Sequence, residues 1–166
     1  SMPFLPVVYD LSNKRFPQYH PVDRVRWMSQ LDRYLLEAPL IHTISEFSAS
    51  EIVDFYGVAR EKIIVVPPGI DDIFLKRSDP IMTLMKYDLH LGEFFLCVGT
   101  LEPRKNIATL VRAYANASPL IRQRLPLVLV GMKGWSEAIP REATPLLQSG
   151  AIRILGYVTD AELRDL

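Results

Sequence analysis

The stretch that decides the fold runs Val98-Gly99-Thr100-Leu101-Glu102-Pro103-Arg104-Lys105-Asn106. A short apolar run at 94–98 leads into it, and a run with helical spacing follows, with apolar residues at Ile107, Leu110, Val111 and Tyr114. This pattern predicts a strand, a tight turn with two adjacent cations, and a helix over 106–117. In a parallel α/β fold such a turn lies at the carboxyl edge of the sheet, where ligands bind. Because the positive end of a helix dipole lies beside the two cations, the turn is a candidate diphosphate site.

Strands and helices alternate on both sides of this stretch. The first series has strand candidates at 7–9, 40–44 and 63–66, with helices over 22–35 and 48–56. The second helix is predicted to begin at the capping box Ser48-Ala49-Ser50-Glu51 and to end at Gly57. The second series has strands at 94–98, 127–130 and 152–155, and the capping box Thr159-Asp160-Ala161-Glu162 opens a further helix. Alternation of this kind predicts two α/β pieces with parallel sheets and right-handed crossovers.

Composition indicates a soluble globular protein of 166 residues, with 49% hydrophobic and 23% charged residues. The 19 basic and 19 acidic residues balance, so no overall field recruits nucleic acid and any anion site must be local. Cys97 is the one cysteine, which excludes an intrachain disulfide framework and a cysteine-based zinc site. The three histidines lack metal-ligand spacing and are interpreted as structural or surface residues.

The predicted location is the cytoplasm, since the sequence shows neither a long apolar stretch nor a secretory signal. A peripheral contact with the inner face of the membrane stays open, because Arg24, Arg26 and Arg33 share a predicted helix with Trp27 and Tyr34. A solvated basic face on a core helix is the interpretation we prefer.

Four segments in sequence resemble the family 4 glycosyltransferases, which are retaining, nucleotide-sugar-dependent enzymes of the GT-B fold. They lie at 6–12, 43–48, 65–71 and 98–106, and the loops at 130–135 and 155–158 continue the match. The resemblance implies two Rossmann-like halves joined by a hinge, with the acceptor held by the amino-terminal half and the nucleotide sugar by the other. Residues 1–69 would be the carboxyl-terminal part of the acceptor domain, 70–92 a connector, and 93–166 the first part of the donor domain.

The resemblance also implies roles for individual residues. Those expected to contact the donor diphosphate are Gly99, Thr100, Arg104 and Lys105. Those expected near the nucleotide base are Gly131, Lys133, Gly156, Tyr157 and Val158. The donor would be a GDP-, UDP- or ADP-linked sugar acting as substrate, and neither a metal nor a cofactor is expected.

Two departures from the family pattern limit what this chain is expected to do. Tyr9 stands where the family commonly has a histidine, and a phenol cannot replace imidazole in a proton role near neutral pH. The family's paired glutamates, seven residues apart, would fall beyond Leu166. We therefore expect a fragment without turnover, derived from an enzyme that transfers a hexose such as mannose to a saccharide or lipid-linked acceptor in polysaccharide synthesis, with retention.

A second hypothesis is a non-catalytic, glycosyltransferase-like module that assembles with a partner chain. The open edges of a three-stranded parallel sheet would then be covered by self-association or by the partner.

Overall fold

The computed structural model describes residues 4–135 and 138–166. Contacts divide the chain into two compact units, one ending at Gly69 and the other beginning at Ile70. Each unit contains a three-stranded sheet whose strands are all parallel. The predicted α/β class with two parallel-sheet pieces is confirmed.

The sheet of the first unit has the order β1-β2-β3, formed by Val7–Val8, Ile41–Thr43 and Ile63–Val65. Its helices are α1 (Ser12–Arg15), α2 (Val22–Ser29), α3 (Asp32–Glu37) and α4 (Glu46–Tyr56), and short 3-10 turns cover Pro17–Tyr19 and Arg60–Lys62. One face of the sheet carries the core, in which Ile41 and Ile52 are fully buried. The alternate residues Val7 and Ile64 are exposed, as the period of two along a strand requires.

Two predicted features of this unit were wrong. The helix predicted over 22–35 is two helices that break at Gln30 and Leu31. α2 buries none of its side chains, so the apolar spacing of this segment is not a continuous core stripe. Asp32 begins the new helix, and its carboxylate accepts hydrogen bonds from the Lys14 ammonium and the Tyr56 hydroxyl.

The capping box predicted at 48–51 lies inside α4. The helix begins earlier because extended Ser45 is its N-cap, with a side chain that accepts a hydrogen bond from the Ser48 amide at 3.1 Å. Gly57 ends the helix in the left-handed conformation, as predicted.

The second unit contains the sheet β4-β5-β6, formed by Phe95–Val98, Leu127–Val130 and Ile152–Gly156. Its helices are α5 (Ile81–Lys86), α6 (Ile107–Ala115), α7 (Pro119–Arg124), α8 (Thr144–Gln148) and α9 (Asp160–Asp165). Three 3-10 turns cover Asp72–Leu75, Pro103–Lys105 and Arg141–Ala143.

Strand β5 is buried along its whole length, because helices cover both faces of this sheet. Leu127 and Leu129 pack with α6 and α8 on one face. Val128 and Val130 face the other side and pack with the α5 segment and α9. The stretch predicted as a connector, 70–92, therefore belongs to the second unit by its contacts.

Among the described residues, no helix is both long enough and apolar enough to cross a membrane.

Candidate functional site

All three strands of the second sheet end in a glycine at the carboxyl edge. Gly99 follows β4, Gly131 follows β5 and Gly156 closes β6, each with positive φ, at 144°, 143° and 72°. The Gly99 amide donates to the Val130 carbonyl and the Gly131 amide donates to the Gly156 carbonyl, both at 2.8 Å. The fold thus brings together Gly99, expected at the diphosphate, and Gly131 and Gly156, expected near the nucleotide base.

The loops after β4 and β5 lie so close together that only glycine fits at two positions. A Cβ atom on Gly131 would lie 2.2 Å from the carbonyl oxygen of Gly99. A Cβ atom on Gly134 would lie 2.7 Å from the carbonyl oxygen of Leu101 and 2.9 Å from Cβ of Glu102. The Gly134 amide donates to the Leu101 carbonyl at 3.0 Å. The two loops therefore form one packed surface.

The predicted cation pair lies in a turn between β4 and α6, as expected, and this turn is the 3-10 turn Pro103–Lys105. Asn106 adopts the left-handed conformation with φ of 55° and separates the turn from α6, which begins at Ile107. The helix predicted from 106 thus begins one residue later. Lys105 is exposed, whereas the Arg104 side chain is 30% exposed.

Arg104 has an acidic partner that the sequence analysis did not assign to the site. Its Nη2 lies 2.6 Å from Oε1 of Glu102, whose side chain is 4% exposed. The two groups are close enough to form an ion pair, but the geometry of the contact does not meet the criteria for a hydrogen bond. Accordingly, Glu102 Oε1 and Arg104 Nε are both buried with no hydrogen-bond partner in the described part of the chain. The sequence hints at this ion pair only by placing an acidic residue, Glu102, two positions before Arg104.

A cavity of about 460 Å³ opens at the same edge. Its lining includes Leu101 from the first loop, Gly131 and Lys133 from the second, and Ile154 and Gly156 from β6. Cavities of this size and mixed lining are typical of small-molecule sites. Three of the five residues predicted near a nucleotide base therefore line one cavity.

The other two residues predicted near the nucleotide base, Tyr157 and Val158, differ from each other in burial. The Tyr157 side chain is 71% exposed. Val158 is buried and packs with Val128 and Val130, so only its backbone is free to border a ligand. Thr159 then caps α9 in the predicted capping box.

A second cavity, of about 420 Å³, lies at the opposite edge of the sheet. Its lining includes Arg122, Pro126, Gly150 and Arg153, around the amino ends of β5 and β6. Ligands of open α/β sheets bind at the carboxyl ends of the strands, so we favour the cavity beside Gly131.

In the first unit, Tyr9 follows β1, and its side chain is 62% exposed. Its backbone carbonyl accepts from the Ser48 hydroxyl at 3.0 Å. His20 Nε2 lies 3.1 Å from the Ser12 hydroxyl, and His42 Nε2 lies 3.2 Å from the Val66 carbonyl. Within residues 4–135 and 138–166, no group of three or more His, Cys, Asp or Glu side chains could hold a metal ion.

No protein-family model matches the sequence. The chain is 37% identical over 159 residues to the O-antigen chain mannosyltransferase B of Escherichia coli, a match that covers 93% of this chain and 42% of that protein. It is 30% identical over 162 residues to the serotype-specific mannosyltransferase WbdA of Escherichia coli, with 92% of this chain and 19% of that protein covered. The chain thus spans less than half the length of these relatives.

Solved structures with the same architecture include HepE of Anabaena in complex with UDP and glucose. That comparison has a TM-score of 0.68 at 20% identity and covers 98% of this chain and 43% of HepE. WaaG, a glycosyltransferase involved in lipopolysaccharide biosynthesis, matches with a TM-score of 0.68 at 18% identity, over 98% of this chain and 48% of WaaG. The fold is GT-B-like. The predicted fold class is confirmed at this level, while the roles of individual residues stay predictions.

Proposed function

We propose that the second unit binds the nucleotide diphosphate of a sugar donor at the carboxyl edge of β4, β5 and β6. The observation that carries this proposal is the convergence of Gly99, Gly131 and Gly156 beside the 460 Å³ cavity. The nucleotide base would enter the cavity beside Lys133. The diphosphate would lie along the first loop, which leads to Arg104 and Lys105.

Arg104 and Lys105 would then stabilise the charge that develops on the diphosphate as it leaves the sugar. Arginine suits a forked contact to phosphate oxygens, and lysine acts as a point charge. Such fixed charges often supply the largest single catalytic contribution, about 2.7–4 kcal/mol for each donor. Gly99, where a Cβ atom would meet only open space, would let the backbone lie close to the ligand.

The whole enzyme would be a retaining family 4 glycosyltransferase in polysaccharide synthesis. It would transfer a hexose, mannose being favoured by the two Escherichia coli relatives, to a saccharide or lipid-linked acceptor. Residues up to 69 would belong to the acceptor domain and residues from 93 to the donor domain. UDP and glucose in the HepE complex support a nucleotide-sugar donor, which would act as the substrate.

Calorimetric titration of the chain with GDP, UDP and ADP tests the proposal. We expect micromolar affinity for one of them. Arg104→Ala and Lys105→Ala should each weaken it roughly ten- to hundredfold, since a hydrogen bond to a charged group contributes about 1.5–3 kcal/mol. Arg112→Ala removes an exposed arginine near the other end of α6 and should leave affinity unchanged. Affinity that is insensitive to both loop substitutions would contradict the proposal.

A further inference from the structure

Glu102 is a carboxylate buried in a loop that the sequence alone would place in solvent. Its side chain is 4% exposed, between the loop after β4 and the loop after β5. The Gly134 backbone covers it so closely that a Cβ atom there would lie 2.9 Å from Cβ of Glu102. A buried charge is costly unless it is paired, so this position needs a reason.

The ion-pair partner of Glu102 is Arg104, two residues along the same turn. The carboxylate lies 2.6 Å from Nη2, which carries two of the five N–H donors of an arginine. The guanidinium is therefore held on one side, and 30% of the Arg104 side chain remains exposed to solvent. The carboxylate itself is enclosed, so it contacts the arginine and offers no exposed surface to a ligand.

We infer that Glu102 is a positioning residue, which fixes the Arg104 guanidinium in the orientation that receives the donor diphosphate. The inference rests on the proposed function of the same edge. A long side chain ordered before binding loses less conformational entropy when the ligand arrives. The Gly134 amide donates to the Leu101 carbonyl at 3.0 Å, and this backbone hydrogen bond joins the segment beside Glu102 to the loop that carries Lys133.

A double-mutant cycle on nucleotide affinity tests this role. Glu102→Gln keeps the shape of the side chain and removes its charge, and we expect it to weaken the preferred nucleotide roughly tenfold, about 1.4 kcal/mol. In the Arg104→Ala background the same change should have no effect, because its partner is gone. Glu142→Gln, which removes the partner of exposed Arg112, should leave affinity unchanged.

Two further measurements keep the test informative if Glu102→Gln fails to fold. Glu102→Asp keeps the charge on a shorter side chain and should give an intermediate loss of affinity. In the native protein, the Arg104 Nε–H signal in NMR spectra should be resolved before nucleotide is added and should shift on binding. An Arg104 Nε–H signal that overlaps those of exposed arginines before nucleotide is added would overturn the inference.

The outcomes separate this inference from the proposed function. Absence of binding to GDP, UDP and ADP by the native chain would overturn both. Binding that Arg104→Ala weakens but Glu102→Gln leaves unchanged or tightens would overturn the positioning role alone. An equal loss for Glu102→Gln with and without Arg104 would show a purely structural role and would also overturn it.

Discussion

At the scale of single residues, Gly131 shows how closely the site is built. Its φ of 143° lies in a region that side chains with a Cβ atom rarely adopt. Its missing side chain also leaves room for the Gly99 carbonyl, which a Cβ atom would meet at 2.2 Å. Because that carbonyl belongs to backbone, the clash cannot be relieved by a rotamer change.

Gly131→Ala is therefore expected to lower the free energy of unfolding by about 2–4 kcal/mol, the sum of backbone strain and a displaced loop. Gly150→Ala is the matched control, since Gly150 also has positive φ, at 75°, but faces open space. It should lose only about 1–2 kcal/mol, the left-handed strain alone. Denaturant unfolding measures both changes, and equal losses would refute the close-packing explanation.

The burial of Glu102 could not have been predicted from its neighbours in sequence. A glutamate before a proline and two cations is ordinarily an exposed loop residue. The side chain is enclosed through tertiary structure, in which Gly134, 32 positions away, lies against it. The burial of Val128 and Leu129 could be predicted, because a short apolar run between turn residues indicates a strand buried on both faces.

At the scale of elements, α9 is tied to α5 by polar contacts. The Glu162 carboxylate accepts from the Thr159 amide at 2.8 Å and from the Lys86 ammonium. The Thr83 hydroxyl donates to the Asp165 carboxylate at 2.7 Å. These contacts, with the apolar cluster around Leu84, explain why 70–92 packs with the second unit. The sequence pattern predicted the capping box at Thr159, but it did not predict the contacts of Glu162 and Asp165 with α5.

These contacts give the second unit a defined acid dependence. Hydrogen bonds from Lys86 and then Thr159 lower the pKa of Glu162 from 4.5 to about 2. Hydrogen bonds from Ser78 and then Thr83 lower the pKa of Asp165 from 3.8 to about 2. Since both are lowered in the folded state, their stabilising contribution is complete above the unfolded pKa values and is lost as pH falls through this range.

We therefore expect the thermal unfolding midpoint to fall as the pH drops from about 4.5 to about 2. Glu162→Gln combined with Asp165→Asn should flatten this dependence. Asp54→Asn, at an exposed position on α4, should leave it unchanged. Calorimetric scans across the pH range measure the midpoints, and a slope unaffected by the double substitution would count against the assignment.

At the scale of the whole molecule, two compact units meet in sequence at Gly69. Residues on either side of this boundary are exposed, with Val66 at 50% and Ile70 at 63%. Pro67-Pro68-Gly69 lies at this boundary, and prolines and glycine interrupt regular structure. Strand β4 lies at the edge of its sheet, and its side chains Phe95 and Val98 are exposed. A partner chain could cover this apolar edge, as the second hypothesis requires.

Thermolysin, which cuts before large apolar residues, is expected to cleave first at the Gly69–Ile70 bond. Both resulting fragments, 1–69 and 70–166, should then persist, because their cores are separate. Leu120 is more exposed, at 77%, but lies within α7 and should be cut later. Mass spectrometry over a time course identifies the first cut, and an initial cut inside either unit would contradict the division.

The central claim, a nucleotide site at the carboxyl edge of β4–β6, is tested most directly by NMR titration of the labelled chain with GDP, UDP and ADP. The account predicts that the amide signals of Gly99, Gly131 and Gly156 shift together and saturate with one of these nucleotides. The amide signals of Gly57, in the first unit, and of Gly150, beside the cavity at the opposite edge, should not shift. Shifts confined to Gly150 and its neighbours, or to the first unit, would contradict the account.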